Sequence, residues 1–319
     1  MELLGAGGMG KVYLAEQISV QRLVAIKVVR RNFQNDAQKN ETLARFHREV
    51  RAVAKLSHPN IIKAYDYDEI DGIPYMAMEY IEGIDTAHLV NTFGPQHWSH
   101  AAEYIVQAAS ALRHAHESEM IHRDVKPQNL LVSTAGQVKL LDLGLVAPFE
   151  GTNDDSLTTA DNQLGSVDYI AQEQALDSRD VDPRADIYDL GATLYSLITG
   201  QVLYPDKTTS QKLLLTQTTM PTPIGELVPG LPEELAAAIT KMLAKNRDDR
   251  FATMAEVEQA FQPFVEKKVP PYDPKVVKFR VENLNAYLGR SPSASSLSNV
   301  TIGRGMLKSD SNDPKRKEE

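Results

Sequence analysis

The hydrophobic pattern of this chain changes period once, and that change limits the folds open to it. In the first eighty residues, "KVYLAEQ" and "LVAIKVV" are β-rich and are separated by the polar "ISVQR", as in a hairpin. One helical stretch follows, "NETLARFHREVRAVAKL", in which Leu43, Phe46, Val50, Val53 and Ala54 recur at helical spacing. "PYMAMEYI" then reads as another strand, ended by "EG". Beyond Gly83 the pattern turns helical. In "HWSHAAEYIVQAASALRHAHE", Trp98, Ala101, Ala102, Ile105, Ala109 and Leu112 mark one apolar face. "DIYDLGATLYSLITG" is apolar nearly all round, as in a buried helix, with Gly200 where a C-terminal cap would sit. Thr253 and Glu256 have capping-box spacing ahead of a last amphipathic helix. The pattern predicts an α+β chain, with a small β-rich part before a large α-rich part. A generic two-domain α+β protein would read the same way.

Composition narrows the function. With 319 residues, 42% of them hydrophobic, the chain can bury one large core or two smaller ones. A net charge of -9 argues against a general nucleic-acid or membrane-surface binder, though a local basic patch stays open. The absence of cysteine excludes disulfides, thiol catalysis and cysteine-ligated metals. No window approaches about 18 consecutive apolar residues, and no secretory signal opens the chain, so no membrane span and a cytoplasmic location are expected. Residues 265–319 contain the proline-broken "KKVPPYDPK", a short helical candidate in "VKFRVENLNAYL", and the polar "SPSASSLSNV" and "SDSNDPKRKEE". They read as a disordered tail.

The glycines Gly5, Gly7 and Gly10 form a G-x-G-x-x-G, which is weak evidence by itself. Glycine lets backbone N–H groups approach phosphate oxygens without a side-chain clash. Dinucleotide-binding folds use the same spacing, but there the third glycine opens a helix. Here the loop runs into "KVYLAEQ", which alternates as a strand. A strand–loop–strand hairpin over a nucleotide fits better, and a merely flexible turn is the alternative. Lys27 then sits in an apolar strand between Val24, Ala25, Ile26 and Val28. A buried ammonium needs an anionic partner or a route to solvent. It can grip phosphates, with Glu49 of the following helix as the carboxylate holding it; a strand-edge lysine facing water is the plain alternative.

"IHRDVKPQNLLV" carries most of the chemistry. Asp124 can orient an attacking hydroxyl and accept its proton, Lys126 can neutralise a phosphoryl group in transfer, and Asn129 can give an oxygen to Mg²⁺. "VKLLDLG" follows, read as a strand ending in Asp142 and Gly144, which suits a second metal ligand. Any single aspartate here could equally sit in a solvated turn. His122 reads as a packed core histidine that holds the loop.

Taken in order, "GAGGMGKV", "VAIK", a helix glutamate, "HRDVKPQN", "DLG" and "AQE" resemble the motifs of eukaryotic-type protein kinases, close to the bacterial Hanks-type serine/threonine kinases. The resemblance covers roughly residues 1–262. It implies a bilobal kinase domain over 1–264, with an N-lobe at 1–82 and a C-lobe at 83–264, and ATP with Mg²⁺ (Mn²⁺ as the alternative ion) in the cleft. Leu4, Val12 and Ala25 would roof the adenine and Leu131 would floor it. Glu79 and Ile81 would offer hinge backbone, and Met78 would be the gatekeeper. Lys126 two residues after Asp124 is the serine/threonine signature. Protein substrates are implied, and a homodimer for autophosphorylation is a further expectation. Arg123 precedes the base, as in kinases switched on by loop phosphorylation, so a phosphate on Thr158 or Thr159 could pair with it and order the segment between Asp142 and Glu173. A merely solvated polar loop is the plain alternative.

Several positions depart from the family pattern. Gln172 replaces the proline of A-P-E, Val167 replaces another proline, Ser166 stands for threonine, and "DLG" replaces D-F-G. Losing two prolines makes the segment less rigid. Glu173 and Arg250 remain available for an ion pair beneath the segment, and Asp186 for holding the catalytic loop. Only Met1, Glu2 and Leu3 precede Leu4, so a shortened first strand and a looser roof are expected. Two rival readings follow: a pseudokinase or scaffold that binds nucleotide without turnover, and a small-molecule kinase of similar fold. The intact Lys27, Glu49, Asp124, Asn129 and Asp142 oppose the first, and "RADIYDLG" opposes the second.

Overall fold

A computed structural model of the chain describes residues 2–7, 10–29, 50, 53–70, 73–143, 167–176 and 180–265. Glu49, Gly144, Thr158, Thr159, Ser166, most of the stretch 40–56 read as a helix and the residues beyond Val265 lie outside the described residues.

The β-rich start forms a five-stranded antiparallel sheet in the order β1-β2-β3-β5-β4. Its strands are β1 (Glu2–Gly7), β2 (Gly10–Gln17), β3 (Arg22–Val29), β4 (Ala64–Ile70) and β5 (Ile73–Glu79). β1 pairs with β2 from Glu2↔Leu14 to Gly7↔Gly10, with a register shift between Leu3 and Gly5. In β5, Pro74, Met76 and Met78 are buried and alternate with half-buried neighbours, the period of a strand with one covered face. In β3, Val24, Ala25, Ile26 and Lys27 are buried in succession, as befits a central strand between β2 and β5. Ala25, Val50, Ile62, Met76 and Met78 form a small core, against which Leu4, Val12, Ile81 and Leu141 pack. Each fully buried methionine of that core contributes about 1.5–3 kcal/mol.

A three-stranded sheet, β6 (Gly83–Asp85), β7 (Leu130–Ser133) and β8 (Val138–Leu140), lies where the chain enters its helical part. Gly83 is required there: a Cβ would stand 2.4 Å from the Val132 carbonyl oxygen of β7. A parallel bridge between Ile61 and Leu140 joins this sheet to the segment leading into β4. The strand read as running to Asp142 ends at Leu140, and Asp142 follows in a left-handed conformation with φ 53°.

Among the described residues beyond β6, the helices are α1 (Thr86–Phe93), α2 (Trp98–Glu117), α3 (Gln172–Leu176), α4 (Arg184–Thr199), α5 (Thr209–Thr218), α6 (Ile224–Leu227), α7 (Glu233–Met242) and α8 (Met254–Phe261). In α2, Ala101, Ala102, Ile105, Ala108, Ala109, Leu112 and Ala115 are fully buried. Every position of α4 from Ala185 to Ile198 is buried, and Gly200 caps it at φ 72° with its N–H donating to the Ser196 carbonyl. The capping box at α8 is only half made. Thr253 accepts from the Glu256 N–H, whereas the Glu256 carboxylate accepts from Ala252.

At Gly191 of α4, a Cβ would stand 2.8 Å from the Met242 Cβ of α7. Gly191→Ala should therefore cost about 1–3 kcal/mol through overpacking, read as a lower urea midpoint at constant slope. An unchanged midpoint would show that the α4–α7 contact can yield. Among the described residues, no helix is long and apolar enough to cross a membrane.

Candidate active site

The 121–129 loop enters from α2 and is held from below by a single carboxylate. Asp186, fully buried near the start of α4, accepts the His122 N–H at 2.9 Å and the Arg123 N–H at 2.8 Å, and meets His116 Nε2 at 2.7 Å. Burial alone would push the Asp186 carboxyl up. The His116 hydrogen bond and charge, and the His122 N–H, outweigh it and hold the group below the usual carboxylate range. His122 is the packed histidine the sequence suggested. Its Nε2 bonds the Leu141 carbonyl at 2.8 Å, and its Nδ1 accepts from the Asp124 N–H at 3.3 Å. Partners of opposite polarity assign the ring as the Nε2–H tautomer.

Arg123 takes φ 65°, a left-handed backbone that costs a residue with a Cβ about 1–2 kcal/mol. Its guanidinium Nη1 is buried with no hydrogen-bond partner among the described residues. Beyond it, Lys126 Nζ lies 2.7 Å from Asp124 Oδ2, and Asn129 Nδ2 donates to the Asp124 carbonyl at 2.8 Å and to Oδ2 at 3.1 Å. Both donations come from the amide nitrogen of Asn129, so Oδ1 is the oxygen this amide has to offer a cation. Asn129 and Asp142 make an all-oxygen donor pair, the kind Mg²⁺ and Mn²⁺ take while keeping waters and substrate phosphates as their other ligands.

Lys27 reaches across from β3, and its Nζ lies 2.5 Å from Asp142 Oδ1. The Lys27 side chain is 7% exposed, so the pairing resolves the burial of its ammonium. Asp142 is thus its described carboxylate partner; Glu49, the partner the sequence suggested, lies outside the described residues. Between the five-stranded sheet and β7 opens a cleft of about 150 Å³. Leu4, Gly5, Val12, Ala25, Met78, Glu79, Ile81 and Leu131 all line it. Gly7 and Gly10 are placed at the β1–β2 turn, where they pair with each other.

Ile62, Tyr80 and Leu141 also line the cleft, and the sequence reading missed them. It also missed what anchors the wall: the Glu79 carboxylate accepts the Lys63 N–H at 2.7 Å and the Lys139 ammonium at 2.8 Å. No local pattern signals that contact, because Lys139 lies sixty residues on from Glu79.

The base of the 142–173 segment is fastened by side chains. Arg250 meets Glu173 twice, at 2.6 and 3.0 Å, as the sequence allowed. Gln172, in place of proline, donates to the Lys245 carbonyl at 2.5 Å. Lys212 of α5 lies 2.5 Å from Asp168. The Ala171 N–H donates to Asp189 Oδ1 at 3.1 Å. Asp189 is fully buried, and burial, with the Asp186 and Asp124 carboxylates adding to it, pushes its carboxyl well up. The folded chain then holds this proton where the unfolded chain releases it, so stability is lost as pH rises from the ordinary carboxylate range toward the raised value. Asp189→Asn should raise the melting temperature near pH 7.5, and by less near pH 4.5. An equal gain at both pH values would contradict this assignment.

Comparison with known proteins accords with this geometry. The model of the protein kinase domain family matches residues 1–262. The chain is 36% identical over 259 residues to the serine/threonine-protein kinase PrkC of Bacillus subtilis, covering 81% of this chain and 39% of that protein. It is 35% identical over 280 residues to the serine/threonine-protein kinase PknB of Mycobacterium tuberculosis, covering 86% and 44%. It is 38% identical over 256 residues to the probable serine/threonine-protein kinase PknB of Lactococcus lactis, covering 80% and 40%. The chain thus spans less than half the length of these curated relatives. A family match over most of the chain, joined to a two-lobed α+β fold with a cleft between the lobes, places this chain in the protein kinase domain family.

Proposed function

We propose that this chain is an ATP- and divalent-metal-dependent protein serine/threonine kinase. The observation that carries the reading is the meeting of Lys27 with Asp142 at 2.5 Å beside the Asp124–Lys126–Asn129 cluster. Phosphoryl transfer asks a protein mainly for positioning and charge, and these five side chains offer both. Asp124 orients the substrate hydroxyl and takes its proton. Lys126, held on the Asp124 carboxylate, balances the negative charge of the group in transfer. Lys27 holds the nucleotide phosphates. Asn129 Oδ1 and Asp142 hold the metal, with Mg²⁺ ahead of Mn²⁺ as the proposed ion; when bound, it neutralises phosphate charge. Leu4, Val12, Ala25 and Leu131 enclose the base, and Glu79 and Ile81 offer backbone groups to its edge. The glycines Gly5, Gly7 and Gly10 let the hairpin close over the phosphates. Glu49 is proposed as a second anchor for Lys27.

Serine and threonine are the proposed acceptors, supported by Lys126 two residues beyond Asp124 and by the names of the relatives. The unpartnered Arg123 Nη1 supports regulation by a loop phosphate on Thr158 or Thr159. Incubation with ATP and Mg²⁺ followed by mass spectrometry tests the reading. Phosphate on serine or threonine of a protein substrate is expected, as is phosphate on Thr158 or Thr159. Alanine at both threonines should lower turnover of a protein substrate about tenfold or more, given the charge a phosphate adds. Nucleotide binding without transfer would instead identify a pseudokinase.

A further inference from the structure

Gln174 lies on α3, one residue beyond the glutamate that pairs with Arg250, and belongs to no motif used above. Its side-chain amide makes two bonds of opposite sense. Nε2 donates to the Arg123 carbonyl at 2.9 Å, and Oε1 accepts the Ala171 N–H at 3.2 Å. An amide does this with one donor and one acceptor a fixed distance apart. The first bond is with the catalytic loop, fifty-one residues away in sequence; the second is with the base of the 142–173 segment.

The Arg123 end of that bridge matters because the backbone there is strained. At φ 65° the residue must be held from outside. Its N–H is held by Asp186 Oδ1 at 2.8 Å, and its carbonyl by Gln174. The Arg123 carbonyl belongs to the peptide that leads directly into Asp124. Rotation of that peptide would swing the Asp124 carboxylate off its partners Lys126 and Asn129. We propose that Gln174 is a positioning residue: its amide pins the Arg123–Asp124 peptide, and so aims the Asp124 carboxylate, only while the base of the segment is seated on α4. The proposal rests on the kinase reading of Asp124 for its catalytic consequence, but not for its structural one.

The coupling runs through identified contacts. The Ala171 N–H that Gln174 accepts is shared with Asp189 of α4, and Glu173 between them is fixed by Arg250. Gln172 fastens the same helix from its other side, on the Lys245 carbonyl. Unseating of α3 withdraws Gln174 Nε2 and leaves the strained peptide held at one end. A chain that has lost the stiffening of two prolines in this segment would thereby make catalytic geometry depend on a side-chain amide.

The test uses Gln174→Met, which removes both bonds, and Gln174→Glu, which keeps the shape and an acceptor but removes the donor. For each, kcat and KM for ATP and for a protein substrate are measured, with amide hydrogen exchange of a peptide covering 121–127. Both variants should lose about tenfold in kcat, with KM for ATP within about twofold of wild type, because one hydrogen bond that aims the base is lost and the nucleotide site is untouched. Exchange across 121–127 should accelerate in both. In Gln172→Met, which removes only the Lys245 anchor of α3 and leaves both Gln174 bonds in place, it should accelerate less than in Gln174→Met. Wild-type kcat in Gln174→Glu, or unchanged exchange over 121–127 in Gln174→Met, would overturn the proposal. If wild-type protein transfers no phosphate, the kinase reading fails; exchange over 121–127 then still decides whether Gln174 pins the loop.

Discussion

Asp124→Asn should reduce phosphate transfer by about 10²–10⁴-fold while leaving nucleotide binding and the fold in place. The magnitude is that of losing a positioned general base. The fold should survive because the substitution is isosteric and because Asn129 makes its shorter bond, at 2.8 Å, to the Asp124 backbone carbonyl rather than to the side chain. Nucleotide binding should survive because the cleft is lined by other residues and Lys27 is paired with Asp142. What changes is chemical. A neutral amide cannot take the hydroxyl proton, and Lys126 loses the carboxylate that lies 2.7 Å from it. Initial rates on a protein substrate, alongside titration with a non-hydrolysable ATP analogue, separate these effects. Turnover within tenfold of wild type would remove Asp124 from the proposed mechanism.

Arg250→Met should cost about 3–5 kcal/mol of stability, the usual penalty for breaking a buried ion pair by removing one partner. The Arg250 side chain is 0% exposed and that of Glu173 only 12%. Besides its two bonds to Glu173, the guanidinium donates to the Ala244, Arg184 and Lys245 carbonyls at 2.8, 2.9 and 3.1 Å, and stacks over Tyr188. Methionine fills part of the volume but strands a carboxylate and those carbonyls, which is where the cost arises. Since a domain is typically stable by only about 5–15 kcal/mol, this is a large fraction of the whole. The double variant with Glu173→Met should recover part of the loss, because no unpaired charge then remains. Urea unfolding of the single and double variants measures both. A loss under about 1 kcal/mol in the single variant would mean that Glu173 finds water or another partner.

Particular residues show why some of this molecule can be read from its sequence and some cannot. The apolar face of α2 was legible because helical periodicity is local: Ile105, Ala109 and Leu112 declare their side of the helix within one or two turns, and the burial of α4 was legible because that stretch is apolar nearly all round. Gly200 was legible because a left-handed cap favours glycine. The strand β4 was missed. Its "AYDYDEI" carries three acidic residues and little aliphatic surface, and it is a strand because β5 pairs with it, a tertiary reason. The end of β8 was overrun because apolar residues continue past Leu140, where the chain turns away so that Asp142 faces Lys27.

The site divides in the same manner. Lys27, Asp124, Lys126, Asn129 and Asp142 could be named because their residue types are chemically unusual in their surroundings. The Glu79–Lys139 pair and the two bonds of Gln174 could not, because glutamines and surface-type charges carry no signal until a partner many residues away arrives. Gln172 shows a third case. Its departure from the family pattern was visible in the sequence, but the bond to the Lys245 carbonyl that accompanies it is visible only in the fold.

A structure of the protein with a non-hydrolysable ATP analogue and Mg²⁺ tests the central claim most directly. The base should lie between Ala25 and Leu131, the phosphates at Lys27, and the metal on Asn129 Oδ1 and Asp142. A nucleotide seated outside that cleft, or a metal that touches neither Asn129 nor Asp142, would contradict it.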